Sequence, residues 1–405
     1  MWFKFGSNFK SGGAHLHPHL SHLLLVNFWP GITVSPVLII GMGQMRRWLL
    51  SLCARAAADT FYFEAHVAGW DLVANASMIA LTWPASGETW QSSLVSVAES
   101  NRSVGVSGGC WSHAMEEQTK GGVGTLSSGS NTSAGVRLEG DIMLPTGSIE
   151  RWQVTFYRGK EGSLSFDILL ENRTGIRMDG PHRCALHECY SYGSLDVTLR
   201  WYLVGDEHLL GGGEQYSTAD LRGQQFRLWS GEQGIGRGRW PITEVLNRVT
   251  NYCGGDKYTT YSFVPVFLST RGYGVVIENS QMMEIDTSGS IAEVTIVFES
   301  PEDPDRNGTF VRGHLLGGAG GVRALLTPLT AITGRMAPPP AWIGEGLVVG
   351  TEGGHEVVSS QLERLLAARV PVVGVWIQDW SGLVRAEFAD HVWWNWELDE
   401  VRYPR

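Results

Sequence analysis

Between residues 58 and 316 the chain repeats one pattern: short runs rich in β-branched and aromatic residues that end at Gly, Asn or Ser. The runs are WQVTFYRG (152–159), SLSFDILLEN (163–172), LDVTLRWYLV (195–204), FVPVFLSTRGYGVVIEN (263–279) and AEVTIVFES (292–300). Alternation with a period of two puts every second side chain on one face, so these runs are predicted to be antiparallel strands with one buried face. Such a fold needs many turns, and 51 glycines supply them. A β-sandwich is the expectation. The 17 tryptophans read in two ways, as core filling or as platforms for sugar rings. The Ser- and Gly-rich segment 101–135 is predicted to be a surface loop, and no internal repeat is evident.

After residue 316 the pattern changes. VRALLTPLTAITG (322–334) has helical spacing despite Pro328, and APPPAW (337–342) is a stiff connector. Next come an apolar run, GEGLVVGTEGG, and SSQLERLLAARV (359–370), which sets Leu362, Leu365 and Leu366 on one helical face. VVGVWIQDW (372–380) follows. Strand–helix–strand in this order is a βα unit feeding a second parallel strand through a right-handed crossover. A chain of 405 residues has room for two domains. The expected division is an extension over 1–57, a sandwich with its connecting helix over 58–336, and the start of a (β/α)8 barrel over 337–405.

In such a barrel, polar residues at the C-terminal ends of the strands face the active site. Glu352 follows the first parallel strand; Gln378 and Asp379 end the second, between Trp376 and Trp380. Hydrogen-bonding groups beside aromatic rings suit a hydroxyl-rich ligand. The alternative is that Asp379 caps a turn and the tryptophans pack.

Composition sets outer bounds. A net charge of −10 argues against a nucleic-acid surface, and GIGRGRW (234–240) holds only Arg237 and Arg239 among glycines. Five cysteines leave at least one unpaired within the chain. HRCALHECY (182–190) has no spacing typical of zinc ligands, so Cys184 and Cys189 are expected to form a local disulfide or to remain thiols. GGAGGVRALL (317–326) and GIGRG (234–238) lack the spacing of a dinucleotide loop, and no cofactor is expected. Sequons at Asn75, Asn101, Asn131, Asn172 and Asn307 point to the secretory pathway or the extracellular space; if they are incidental, the cytoplasm is the alternative. Residues 22–43 form an apolar stretch broken by Pro30 and Pro36, a poor membrane anchor. MRRWLLSLCARAAAD, from Met45, has the order of a signal peptide.

Several long motifs in order resemble glycoside hydrolase family 31. They are GGGEQYSTADLRGQQFRLWSGEQGIGRG (211–238), GGDKYTTYSFVPVFLST (254–270), ITGRMAPPPAWIGEGLVVGTEGGHEV (332–357) and GVWIQDWSG (374–382). The chain is most similar to the bacterial sulfoquinovosidase and α-glucosidase-like branch. The resemblance implies an N-terminal β-sandwich, a catalytic (β/α)8 barrel and hydrolysis of α-glycosides with retention. Retention needs two carboxyl groups about 5 Å apart, one attacking the anomeric carbon and one protonating the leaving oxygen. No segment before Arg405 matches the family's W-x-D nucleophile motif, and no catalytic residue is assigned.

By the same resemblance Gln378 binds a hydroxyl of the terminal sugar, with Trp394 near the C6 side, and Glu352 stands where the branch has a glutamine; Asp379 and Trp380 join the candidates by their own place at the strand end. At His391 the sulfoquinovosidase branch carries an arginine facing the sulfonate. A histidine lacks that permanent forked charge, which makes a neutral α-glucoside at least as good a candidate. The expectation is the N-terminal portion of a retaining α-glycosidase acting on an α-glycoside or oligosaccharide. The alternative is a non-catalytic carbohydrate-binding or interaction protein that uses the β-sandwich.

Overall fold

The computed structural model describes residues 61–404 apart from 84, 108–109, 119–120, 145–148, 172–177, 185–186, 232–238, 250–254, 300–307, 386–389 and 393–394. The extension and the stretch 22–43 therefore lie outside the described residues. So do Trp394 and the sequons at Asn172 and Asn307. No described helix is long and apolar enough to cross a membrane.

Nineteen strands form one antiparallel sheet that folds into two layers. The chain opens in the first layer with β1 (Tyr62–Val67), β2 (Trp70–Asn75), β3 (Met78–Trp83), β4 (Glu88–Ser92), β5 (Ser96–Ser107) and β6 (Cys110–Gln118). It crosses to the second layer for β7 (Gly122–Asn131), β8 (Gly135–Met143), β9 (Ile149–Arg158) and β10 (Leu164–Glu171). A return to the first layer gives β11 (Met178–Cys184) and the long β12 (His187–Tyr202). β13 (Leu209–Gly213), β15 (Phe263–Ser269), β16 (Tyr273–Ile277) and β19 (Gly308–Gly317) extend the second layer. β14 (Gln225–Leu228), β17 (Met283–Asp286) and β18 (Ile291–Phe298) extend the first. Helix α1 (Ile242–Val249) lies between β14 and β15.

One apolar core runs between the layers, with Trp70, Trp152, Phe156, Trp201, Phe267 and Phe298 among its buried side chains. A fully buried indole removes on the order of 200 Å2 from water, about 4–5 kcal/mol before its entropy cost. A cavity of about 30 Å3 remains between the layers, walled by Trp90, Trp152, Phe156, Phe166 and Trp201.

The segment predicted as a loop, 101–135, is instead the end of β5 followed by β6 and β7. Its glycines serve close packing. A Cβ on Gly124 would sit 2.9 Å from the Trp152 ring, and one on Gly129 would sit 2.6 Å from Phe63 Cγ. Small residues here let aromatic rings lie flat against the strand, which suits the close-approach role of glycine in sheets. The predicted run 263–279 is a hairpin, β15 and β16, that turns at Thr270–Gly272. In the β11–β12 ladder Cys184 lies opposite His187 and Cys189 opposite His182, so the two cysteines sit diagonally rather than face to face.

Helix α2 (Val322–Thr333) fills the predicted helical segment and packs Leu325 and Leu329 against Val266, Leu268, Val276 and Leu316 of the second layer. After a 3-10 turn at Ala341–Glu345 come β20 (Leu347–Thr351), α3 (His355–Ala367) and β21 (Val372–Ile377). β20 and β21 pair in parallel, as the strand–helix–strand order predicts. This pair is poorly covered: Leu347, Val348 and Trp376 are all exposed, and α3 buries only Val358 among its described residues. A short hairpin of β22 (Leu383–Arg385) and β23 (Asp390–Val392) follows.

Candidate functional site

β20 and β21 deliver three of the expected residues to one edge. Parallel register carries Thr351 beside Ile377, and the Gln378 amide continues the ladder by donating to Thr351 O at 3.2 Å. Glu352 and Gln378 therefore leave the C-terminal ends of adjacent strands, and both are exposed. Trp380 is half-buried, its ring 6.3 Å from that of Trp396 and tilted by 50°. Trp396 is held at φ 61°, a conformation uncommon outside glycine.

Asp379 was expected beside the ligand, but it points inward and is 1% exposed. Its Oδ2 accepts from the Gly353 amide at 3.0 Å and from Arg402 Nε at 2.6 Å, while Oδ1 accepts from the Tyr403 hydroxyl. Burial pushes this carboxyl up. The Tyr403, Gly353 and Arg402 donors outweigh burial and hold it below the usual carboxylate range.

The same partners complete the start of α3, where the first amides of a helix lack internal acceptors. The Gly354 amide donates to Tyr403 Oη at 3.0 Å and the His355 amide to Arg402 O at 2.9 Å. Gly353 and Gly354 make this possible at φ 113° and 90°. A Cβ on Gly354 would also press on Arg402 Cγ at 3.4 Å. Asp379 is thus the knot that ties the β20–α3 loop to residues 399–403, nearer to the turn-capping alternative than to a ligand contact.

His391 lies on β23, its backbone opposite Val384. The excursion that carries it is pinned at both ends, since the Asp399 amide donates to Trp380 O at 3.0 Å. Among the described residues no group of His, Cys, Asp and Glu is arranged to hold a metal ion. Of the three described sequons, Asn101 and Asn131 are exposed, whereas Asn75 is 4% exposed with its carbonyl taken by Ser77. The folded chain offers two of the three for modification.

The layered sheet holds a second cluster that the sequence reading missed, built from Arg102, His113, Asp196, Arg227, Trp229 and Glu284. Only strand register brings these residues together; Arg227 and Trp229 lie inside the motif 211–238, which gives no sign of the other four.

Comparison with known proteins places this geometry. Residues 141–286 match the family model described as the glycosyl hydrolase 31 N-terminal galactose mutarotase-like domain. A sulfoquinovosidase of Escherichia coli strain K12 is 31% identical over 266 residues, 64% of this chain and 36% of that protein. A sulfoquinovosidase of Agrobacterium fabrum strain C58 is 32% identical over 217 residues, 52% of this chain and 31% of that protein. The matched segment spans about a third of the length of each. Among solved structures, a family 31 sulfoquinovosidase from E. rectale, in complex with the aza-sugar inhibitor IFGSQ, superposes with a TM-score of 0.60 at 22% identity. That superposition covers 82% of this chain and 44% of the other, and it is a likeness of fold.

Proposed function

Because the chain carries the N-terminal domain of glycoside hydrolase family 31 and is related over part of their length to sulfoquinovosidases, we propose that it forms the sugar-recognising N-terminal portion of a retaining α-glycosidase. In this reading the two layers are the family's β-sandwich, and β20–α3–β21 is the opening of its (β/α)8 barrel. The observation that carries it is the placement of Glu352 and Gln378 together at the C-terminal edge of a parallel pair, where barrel enzymes bind substrate.

Gln378 presents an amide that both donates to and accepts from a sugar hydroxyl. Trp380 offers an apolar ring face, and by the family resemblance Trp394 and His391 would belong to the C6 side of the sugar. Asp379 positions the loop rather than touching the sugar. The resemblance implies that the nucleophile and the acid/base sit on later barrel strands, and the residues named here would bind and orient the sugar.

A chimera tests this: residues 61–405 joined to the remaining segment of the E. coli relative, assayed on aryl α-glucoside and aryl α-sulfoquinovoside. Turnover of the neutral glucoside is expected. Gln378→Ala should lower kcat/KM about tenfold, the worth of one neutral hydrogen bond. His391→Arg should raise kcat/KM for the sulfonated substrate by roughly 10- to 100-fold through a charge-assisted contact. A folded chimera inert on both substrates, or cleavage by residues 61–405 alone, overturns the reading.

A further inference from the structure

The first layer curls far enough to close on itself. Its ladder runs β6–β5–β12–β18–β17–β14. Laid flat, those five spacings would set β6 and β14 about 24 Å apart. Yet Arg227 Nη1 on β14 donates to the His113 carbonyl on β6 at 2.9 Å. The His113 and Trp229 rings meet edge to face, 4.6 Å between centroids. The polar side of the layer is therefore a concavity with its two flanks in contact.

Inside it every charge is answered. Arg102, 1% exposed, donates to Ser194 Oγ at 3.1 Å, to Asp196 Oδ2 at 2.8 Å and to both Glu284 oxygens at 3.0 and 3.1 Å. Burial works against the Arg102 charge, but Glu284 and Asp196 outweigh it and hold the guanidinium charged. Arg227 Nε adds a 3.3 Å bond to Glu284.

At the closure the opposite holds. His113 Nδ1, His113 Nε2 and Trp229 Nε1 are all buried, and none has a hydrogen-bond partner among the described residues. Native structures keep few such atoms dry. Burial first, and then the Arg227 and Arg102 charges, push the His113 value down to about 4. The imidazole is thus neutral, with one nitrogen accepting and one donating. Arg227 is partly exposed. Its Nη2 is free among the described residues, and Glu284 Oε2 has lone-pair capacity beyond Arg102. Unanswered donors and acceptors thus gather beside an indole ring, a combination suited to a polyhydroxylated ring.

We propose that this concavity is a saccharide-binding site of the β layers, separate from the βα edge and taking a mono- or disaccharide. Trp229 packs on the sugar ring and donates from Nε1. His113 accepts from one hydroxyl, Arg227 donates to another, and Glu284 accepts. The His113–Trp229 contact parts as the sugar enters, and the three unanswered nitrogens gain partners.

The whole chain, titrated with methyl α-glucoside, methyl α-galactoside and maltose, tests the site by saturation-transfer NMR and tryptophan fluorescence. Saturable millimolar binding of at least one sugar is expected. Arg227→Ala, a change at a partly exposed side chain, and Trp229→Phe, which keeps a ring but removes the N–H, should each weaken binding at least fivefold with unchanged melting temperature. Both losses should persist in a Gln378→Ala background, which removes the contact proposed at the βα edge. No saturable binding of any of the three sugars overturns the proposal. So does binding in that background that survives both sandwich variants.

Discussion

His113 takes up a proton far less readily than a histidine in water, and this sets a pH window for stability. Its value is about 4 in the folded chain against an ordinary 6.5. Below pH 6.5 the unfolded chain therefore binds a proton that the folded chain refuses, and stability falls as pH drops toward 4, by about 3 kcal/mol in all. Chemical denaturation at stepped pH should show this loss, and His113→Phe should flatten the part between pH 6.5 and 4.5. Unchanged slopes would remove His113 from the account. Gly124 makes a different demand, of space alone. Gly124→Ala places a methyl 2.9 Å from the Trp152 ring and should cost about 1–3 kcal/mol by thermal melting. Neither effect is visible from residue type. His113 stands in a Ser- and Gly-rich stretch that reads as a loop, and Gly124 looks like a turn residue until Trp152 is seen beside it.

Among the elements, the start of α3 depends on a carboxylate that follows the next strand, β21. Asp379→Asn should weaken the bonds to Arg402, Tyr403 and Gly353, at a local cost of about 3 kcal/mol. Hydrogen exchange at Gly353, Gly354 and His355 should then speed by roughly 100-fold, with little change in the melting of the layered core. Because the folded value of Asp379 is lowered, its contribution is present at neutral pH and is lost only as pH falls below the usual carboxylate range. Strand alternation and the helical spacing of 322–334 made most elements legible, including the parallel pair and its polar edge. Helix α1 was missed although Ile242, Val245, Leu246 and Val249 stand at helical spacing, because the run is only eight residues long and Ile242 and Val245 stay exposed. The knot at Asp379 was equally hidden. Arg402 and Tyr403 lie 23 and 24 residues further on, and nothing in DEVRYPR marks them as partners.

Across the molecule, burial is unevenly shared. The layers enclose a continuous aromatic core, while β20 and β21 leave Leu347, Val348, Val375 and Trp376 exposed, the last at 63%. Parallel strands are normally covered on both faces, so this surface should promote association. Sedimentation of the whole chain should show concentration-dependent self-association, and a truncation ending at Met336 should stay monomeric and keep the same main melting transition. Aggregation of the truncation would show that the layers need the βα segment. The bond from the Asp399 amide to Trp380 O closes the base of the excursion 381–398 at 3.0 Å. A segment sealed at its root can lengthen or shorten while the parallel edge beneath keeps its shape, so ladder and excursion can vary independently of each other.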